Sequence, residues 1–333
     1  MSLKKKLIHF SSKFEKNSID YSFPIDYCLP VYHTISDENL PHLKHIIQYK
    51  NTQQFEKDLD YLLLHFQFVD WSDFKDYQQG KPKKQKIALL TFDDGLREFH
   101  DVVAPILERK GVFAMNFINP KYIDNQDLMF RCKASLIIDN ILHSTKNHTA
   151  VSDFFQLKNA SLKILIKRIQ LINYLDQKKL DEIAEKIDLD FDYFLKTQKP
   201  YLTSEELQKL SAKGFGISAH GWDHPLYFEL SDEEQLQNTF KSLDFMEENG
   251  FISDSFAFPF SDFGVKQQFF SELFKQRKMF CSFGSAGIKL DSFEKNYHRI
   301  PMETNESAEE ILKNQVSYFK LKKLLYKNKI RRI

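Results

Sequence analysis

Residues 87–95 read Ile-Ala-Leu-Leu-Thr-Phe-Asp-Asp-Gly, and this stretch decides the fold. Its apolar opening, Ile87 to Phe92, reads as a β-strand that runs straight into Asp93, Asp94 and Gly95. Two further strand-like runs end in the same manner. Residues 216–219 deliver His220-Gly-Trp-Asp-His224, and residues 255–258 deliver Pro259-Phe-Ser-Asp262. Other strands are expected at 27–32, 112–118, 279–283 and 299–302, with helical spacing at 53–66, 99–110, 203–214, 233–248 and 266–277. Strands alternating with helices are the signature of a parallel α/β sheet or barrel, in which the loops after the strand C-termini build the active site. The three polar strand ends should therefore face one mouth.

Composition narrows the classes. Of 333 residues, 47 are Lys or Arg and 46 are Asp or Glu, a net charge of +1. That is far from the basic excess of a protein that wraps nucleic acid, and no nucleic-acid partner is expected. Cys28, Cys132 and Cys281 are odd in number and widely spaced, which speaks against a disulfide framework or a thiolate zinc cluster. The N-terminus turns polar at Ser11-Ser12-Lys13 before a signal-peptide core develops. No run approaches the roughly 20 apolar residues of a membrane span, so a soluble, cytoplasmic protein is expected. Only 10 glycines occur, and none lies between Pro120 and Pro200; Gly95, Gly214, Gly216, Gly221 and Gly264 instead flank the polar strand ends. The glycine-free stretch has helical spacing at 162–175 and 180–187 and reads as a helical insertion into one barrel, not a second domain. The expected organisation is an N-terminal extension (1–26), barrel (27–119), insertion (120–200), barrel (201–303) and a basic C-terminal helix (304–333).

One carboxylate and two imidazoles at converging strand ends form a partial shell for Zn²⁺ or another divalent transition metal, with positions left for water and substrate. Adjacent acids leaving a strand diverge, so one of Asp93 and Asp94 can ligate while the other accepts a proton from the attacking water. A metal there polarises a carbonyl, and an amide or ester hydrolase follows. The His-x-x-x-His spacing is not the helical metalloprotease site: Gly221 occupies the position that needs Glu, and Pro225 follows directly. Singly, Asp-Asp-Gly is an ordinary turn and a His pair is ordinarily solvated. Their joint placement at strand ends points to function.

Leu90-Thr-Phe-Asp-Asp-Gly95, Ser218-Ala-His-Gly-Trp-Asp-His-Pro225 and Phe256-Ala-Phe-Pro-Phe260, in that order, resemble the motifs of the polysaccharide deacetylases, the NodB-homology group of carbohydrate esterases. The similarity runs from about Leu29 to Met302 outside the insertion, and Tyr32-His-Thr-Ile-Ser-Asp37 is similar to the opening strand of one subgroup. The resemblance implies a distorted (β/α) barrel that hydrolyses an N-acetyl group on a sugar or glycan intermediate. It implies Asp94, His220 and His224 as ligands of a divalent metal, Zn²⁺ first, with Co²⁺, Ni²⁺ or Mn²⁺ as substitutes. Asp93 would be the general base for the water that attacks the amide carbonyl, and a backbone N–H near Phe260 would meet the oxyanion. His33, Trp222, Pro259 and Phe260 would be the substrate-facing residues.

This chain departs from the family pattern in three places. Gly221 stands where the family has Ser or Thr, Phe260 where Tyr is frequent, and the Arg of the third motif is missing. Arg299, in Tyr297-His-Arg-Ile-Pro301, is assigned the orienting role toward Asp93, and His298 and His33 are the candidates for general acid. The alternatives are a sugar deformylase or other carbon–nitrogen hydrolase on the same scaffold, or a catalytically silent carbohydrate-binding barrel. A nucleotide- or lipid-linked saccharide suits a chain without a signal peptide better than a wall polymer does. The tail from Phe319 to Arg332 interleaves basic and apolar residues, the pattern of a helix lying on an anionic membrane surface or of a solvated helix. Trp222 fits either sugar stacking or packing under a loop, and His42, His45 and His100 are expected to be solvated.

Overall fold

Eight short strands form one parallel sheet: β1 Pro30–Tyr32, β2 Leu90–Asp93, β3 Ala114–Ile118, β4 Gly216–Ala219, β5 Ser255–Ala257, β6 Cys281–Gly284, β7 Asn296–His298 and β8 Ile300–Pro301. The computed structural model in which they are seen describes residues 19–158 and 160–332, so residues 1–18 of the expected N-terminal extension lie outside the described residues. The order across the sheet is β7-β6-β5-β4-β3-β2-β1-β8. Only Arg299 separates β7 from β8, yet β7 pairs with β6 and β8 pairs with β1. A single segment therefore joins the two edges and curls the sheet into a nearly closed barrel, with Arg299 at the seam. The Arg299 N–H donates to the Gly284 carbonyl and the Ile300 N–H to the Leu29 carbonyl.

The expected strand 27–32 divides at Leu29. Tyr27–Cys28 pairs with Ile87–Ala88, which also pairs with Gln67–Phe68, in a small side sheet. Two segments thus pass from the side sheet into the barrel, and residues 28–32 and 87–92 are buried; Ile87, Ala88, Leu89, Leu90 and Phe92 are each 0% exposed. Helices return between the strands. Ser204–Ala212 is opened by Thr203, whose side chain accepts from the Glu206 N–H while Glu206 answers the Thr203 N–H, as a Thr-x-x-Glu pattern dictates. The expected helix 99–110 begins with a π-turn over Phe99–Val103 before becoming α-helical at Ala104–Lys110.

The stretch between β3 and the helix Ser204–Ala212 holds five α-helices, Phe130–His143, Thr145–Phe154, Leu162–Gln170, Lys178–Lys186 and Phe191–Gln198. Their apolar stripes meet in a cluster that includes Phe130, Ile137, Ile138, Ile141, Leu165, Ile169, Leu180 and Ile183. Each such side chain contributes about 1.5–3 kcal/mol on burial. The hairpin of chain that carries these helices is tied to the barrel mouth by the Leu202 N–H on the Gly95 carbonyl and by Tyr122 stacked on Tyr201 at 5.5 Å.

The C-terminal expectation is corrected. The helix Ala308–Leu324 stops, Tyr326 turns through φ 55°, and Lys329–Ile330 pairs with Leu290–Asp291. The tail therefore folds back on the barrel, and the Arg332 side chain is 2% exposed. Among the described residues no helix is long and apolar enough to cross a membrane.

Candidate active site

β2 ends with Asp93 inside the ladder and Asp94 just beyond it, where Asp94 (φ 74°) and Gly95 (φ 66°) both adopt left-handed backbone. A Cβ on Gly95 would press on Ile118 at 3.1 Å, so glycine makes this turn without strain. The turn brings Asp94 Oδ1 to 3.1 Å from His224 Nε2 and 3.5 Å from His220 Nε2. One ligand atom from each of the three residues lies within 4.8 Å of the others. All three side chains are buried, yet Asp94 Oδ1, His220 Nε2 and both ring nitrogens of His224 make no hydrogen bond. Buried polar atoms ordinarily find partners. Orphans converging on one point, two imidazoles and a carboxylate, are a donor set that a divalent cation such as Zn²⁺ satisfies.

The protonation states agree. Burial alone would raise the Asp94 carboxyl, but the His224, His33 and His220 rings hold it well below the usual carboxylate range. Burial pushes His220 down to about 4, so it stands as the neutral imidazole that metals require. Its Nδ1 faces the Ala257 carbonyl at 2.9 Å, which fixes the ring and aims Nε2 at the site. Asn119 Nδ2 donates to the carbonyls of His220 and Gly221 at 2.5 and 3.1 Å. Gly221 has φ 75°, and a Cβ there would stand 2.9 Å from Asn238 Oδ1 and 3.2 Å from Pro259 Cγ. A side chain there would crowd both neighbours at a left-handed φ, a conformation that glycine adopts without cost.

Asp93 points to the other side of the same centre. Arg299, 1% exposed, forks onto it: Nη1 donates to Oδ1 at 2.5 Å and Nη2 to Oδ2 at 2.8 Å. Burial would raise the Asp93 carboxyl, but Arg299 and then His220 and His33 hold it below its ordinary value. The guanidinium lies 5.3 Å over the Phe117 ring. A planar bidentate clamp of this kind sets both charge and orientation.

A cavity of about 400 Å³ opens over Asp94 and His224 and is walled by His33, Phe260, Met129, Arg131, Cys132 and Gln170 among others. His33 Nδ1 is 2.5 Å from Glu303 Oε2, while the N–H groups of His33 and Thr34 donate to Glu303 Oε1. Burial pulls His33 down, but Glu303, with Asp94 and Asp93 behind it, raises it to about 10. The group facing the cavity is an imidazolium. Phe260 holds φ 54°, and its ring meets that of His224 edge-on at 4.3 Å. Asp94, His224 and Phe260 thus all sit in left-handed backbone (His224 at φ 58°), a cost of about 1–3 kcal/mol each that proteins retain at functional sites. Burial pushes the Cys132 thiol up to about 12, so it is a neutral wall and not a nucleophile.

Several sequence-assigned residues lie elsewhere. His298 does not face the cavity: its neighbour Arg299 turns into the barrel, and strand alternation sends His298 the opposite way. There Nε2 is 2.9 Å from Asp291 Oδ2 and Nδ1 is 3.9 Å from Asp262 Oδ2. Trp222 is covered by Lys241, whose Nζ lies 3.8 Å over the ring, and does not line the cavity. Pro259 is buried beneath the loop that presents Phe260. His45, expected in solvent, walls the cavity and pairs with Asp139 at 3.2 Å, and His42 is 3% exposed with neither ring nitrogen partnered. Glu303 and Arg131 escaped the sequence reading. Glu303 follows a strand end, as Asp94 does, and that position was its one visible signal.

A family model described as polysaccharide deacetylase matches residues 80–266. Among solved structures the chain is similar to IcaB from Ammonifex degensii, at 13% identity over 87% of this chain and 97% of that one, with a TM-score of 0.55. It is similar to the Streptococcus pyogenes deacetylase PplD in complex with acetate, at 14% identity over 88% and 99%, TM-score 0.56. The de-N-acetylase from Aggregatibacter actinomycetemcomitans matches at 14% identity over 86% and 99%, TM-score 0.53. At such identities the likeness is one of fold. No curated protein matches the chain.

Proposed function

This chain belongs to the polysaccharide deacetylase family and is a sugar deacetylase; from that premise we propose a metal-dependent hydrolysis in which Asp93 is the base and His33 the acid. The observation that carries the reading is the buried, unpartnered Asp94–His220–His224 set beside an Asp93 clamped by Arg299. Asp94, His220 and His224 would hold the metal, which when bound supplies a Lewis acid for the acetyl carbonyl and its attacking water.

The chain's own residues account for the proton traffic. Asp93 is ionised at neutral pH and accepts the proton of the attacking water. Arg299 occupies one lone pair on each Asp93 oxygen and holds the carboxylate in that posture. The Phe260 N–H, free of hydrogen bonds among the described residues, is the backbone donor for the developing oxyanion. His33, an imidazolium stabilised by Glu303, faces the cavity that takes the substrate and returns a proton to the leaving amine. The exposed Phe260 ring offers the sugar an apolar face.

The cytoplasmic setting expected from the sequence is part of the proposal. So is a saccharide whose reducing end carries a nucleotide or lipid in place of a long polymer. The test is metal content together with acetate release from N-acetylated sugars. Wild type is expected to hold one metal per chain, His220→Ala to lose both metal and activity, and Asp93→Asn to keep the metal while kcat falls by about 10²–10⁴. Activity retained in Asp93→Asn removes the base assignment, and release of formate in place of acetate from the corresponding N-formyl sugar would reassign the acyl group.

A further inference from the structure

Among the described residues, one cation at the cavity wall, Arg131, has no carboxylate bonded to it. Arg131 opens the helix Phe130–His143 and stands in the cavity wall with Asp94, His224 and Phe260. Its guanidinium lies 4.8 Å over the Phe130 ring and 5.7 Å over the Phe260 ring, and Nη1 donates to the Gln170 carbonyl at 2.7 Å. Those three contacts fix the group without neutralising it. It makes no ion pair among the described residues; Glu229 is near enough for its charge to act on the guanidinium but does not bond it. The other charged groups at the cavity are accounted for. His33 is matched by Glu303, His45 by Asp139 and Arg299 by Asp93, and Asp94 belongs to the ligand set.

We propose that Arg131 is a specificity-determining residue that binds a phosphate ester carried by the acetylated sugar. A fixed guanidinium with a free edge is the group best matched to the paired oxygens of a phosphate. The aromatic corner that holds it leaves Nε and Nη2 free for that purpose. Phe260 links the two ends of the site, since its ring centroid lies 4.3 Å from that of His224 and 5.7 Å from the Arg131 guanidinium. One pyranose ring lying on Phe260 spans from the metal ligands to Arg131, with the acetamido group at one end and the phosphate at the other. The inference rests on the deacetylase reading and adds the substrate's charge to it.

Binding of deacetylated products tests it apart from turnover. By calorimetry on the metal-loaded enzyme, glucosamine 1-phosphate or glucosamine 6-phosphate is expected to bind at least about tenfold tighter than glucosamine, more so at low salt. Since phosphate also binds metals, the deciding comparison is Arg131→Met, which should erase the preference while melting temperature, metal content and glucosamine binding stay as in wild type. Arg131→Lys should restore part of it. A phosphate preference that survives in Arg131→Met, or none in wild type, overturns the proposal. Acetate release from N-acetylglucosamine read in parallel judges the deacetylase reading separately: its absence beside an Arg131-dependent phosphate preference would sink that reading and leave the anion site standing.

Discussion

Two buried clusters in this molecule have the same composition in kind and opposite solutions to the same problem. Asp94, His220 and His224 lie together at the mouth of the barrel, and Asp262, Asp291 and His298 lie together behind the neighbouring loop; in each, three ligand atoms fall within 4.8 Å. The second cluster supplies its own cation. Arg332, from the folded-back tail, donates Nη2 to both Asp262 Oδ2 and Asp291 Oδ2, and Nη1 to the carbonyls of Asp262 and Val265. Asn296 Nδ2 donates to both acids as well. In the first cluster the Asp94, His220 and His224 ligand atoms are left without bonds. A buried acid–histidine group is therefore no metal site by residue count; what separates function from scaffold is whether the protein has already paired the charge.

The comparison can be broken by experiment, and the ligand cluster gives the largest effect. Asp94→Asn or His224→Ala should abolish metal binding and lower acetate release by more than about 10³-fold, whereas Asp262→Asn should leave metal stoichiometry at one. Loss of metal in Asp262→Asn would show that the two clusters are not distinct in kind. Next is Arg332→Met, which removes the built-in cation. It should destabilise the fold by about 3–5 kcal/mol by leaving two buried carboxylates uncompensated, read as a lower midpoint in urea. Added Zn²⁺ should recover part of that loss with a second equivalent bound, because the cluster would then resemble the first.

The histidines sharpen the same contrast on a smaller scale. His33 has a carboxylate and His42 has none. Glu303→Gln removes the partner that keeps His33 protonated, so the alkaline limb of the kcat profile should move to lower pH by about one unit or more; an unmoved limb removes His33 as the acid. Burial, and then Arg97, pushes His42 down from 6.5 to about 4. Its unfolded form takes up a proton below pH 6.5 that the folded form refuses until about pH 4, so stability is whole above that window and is lost as pH falls through it. Wild type should lose about 2 kcal/mol between pH 7.5 and pH 5 through this residue. His42→Leu should lose none of it, as judged by paired urea titrations.

The barrel was legible because its signal is local. An apolar run followed by Asp-Asp-Gly, or by a His-flanked glycine, states both strand and strand end within ten residues. The ligands and Asp93 sit in such runs, inside the matched segment 80–266. The rest of the site was hidden by distance or by phase. His33 and Glu303 are 270 positions apart, and no spacing rule joins them. Tyr297-His-Arg299 shows a candidate acid and a candidate orienting residue side by side, but which one faces inward depends on the register with which β7 and β8 meet β6 and β1, a property of closure and not of the segment. Arg131 lies in a stretch without glycine punctuation, where an amphipathic pattern marks helices yet says nothing about which helix end overhangs the barrel. The tail misled for a related reason. Alternating Lys and Leu suit a solvated helix, and Arg332 turns inward only because a pair of acids from distant loops waits for it.

The seam of the barrel carries one more consequence. Arg299 is the single residue between the two strand fragments that join the sheet's edges, and its bidentate clamp also aims Asp93. Without that segment docked on both neighbours, Asp93 lacks its bidentate partner and its fixed direction. Closure of the barrel and orientation of the Asp93 carboxylate therefore hang on the same residue.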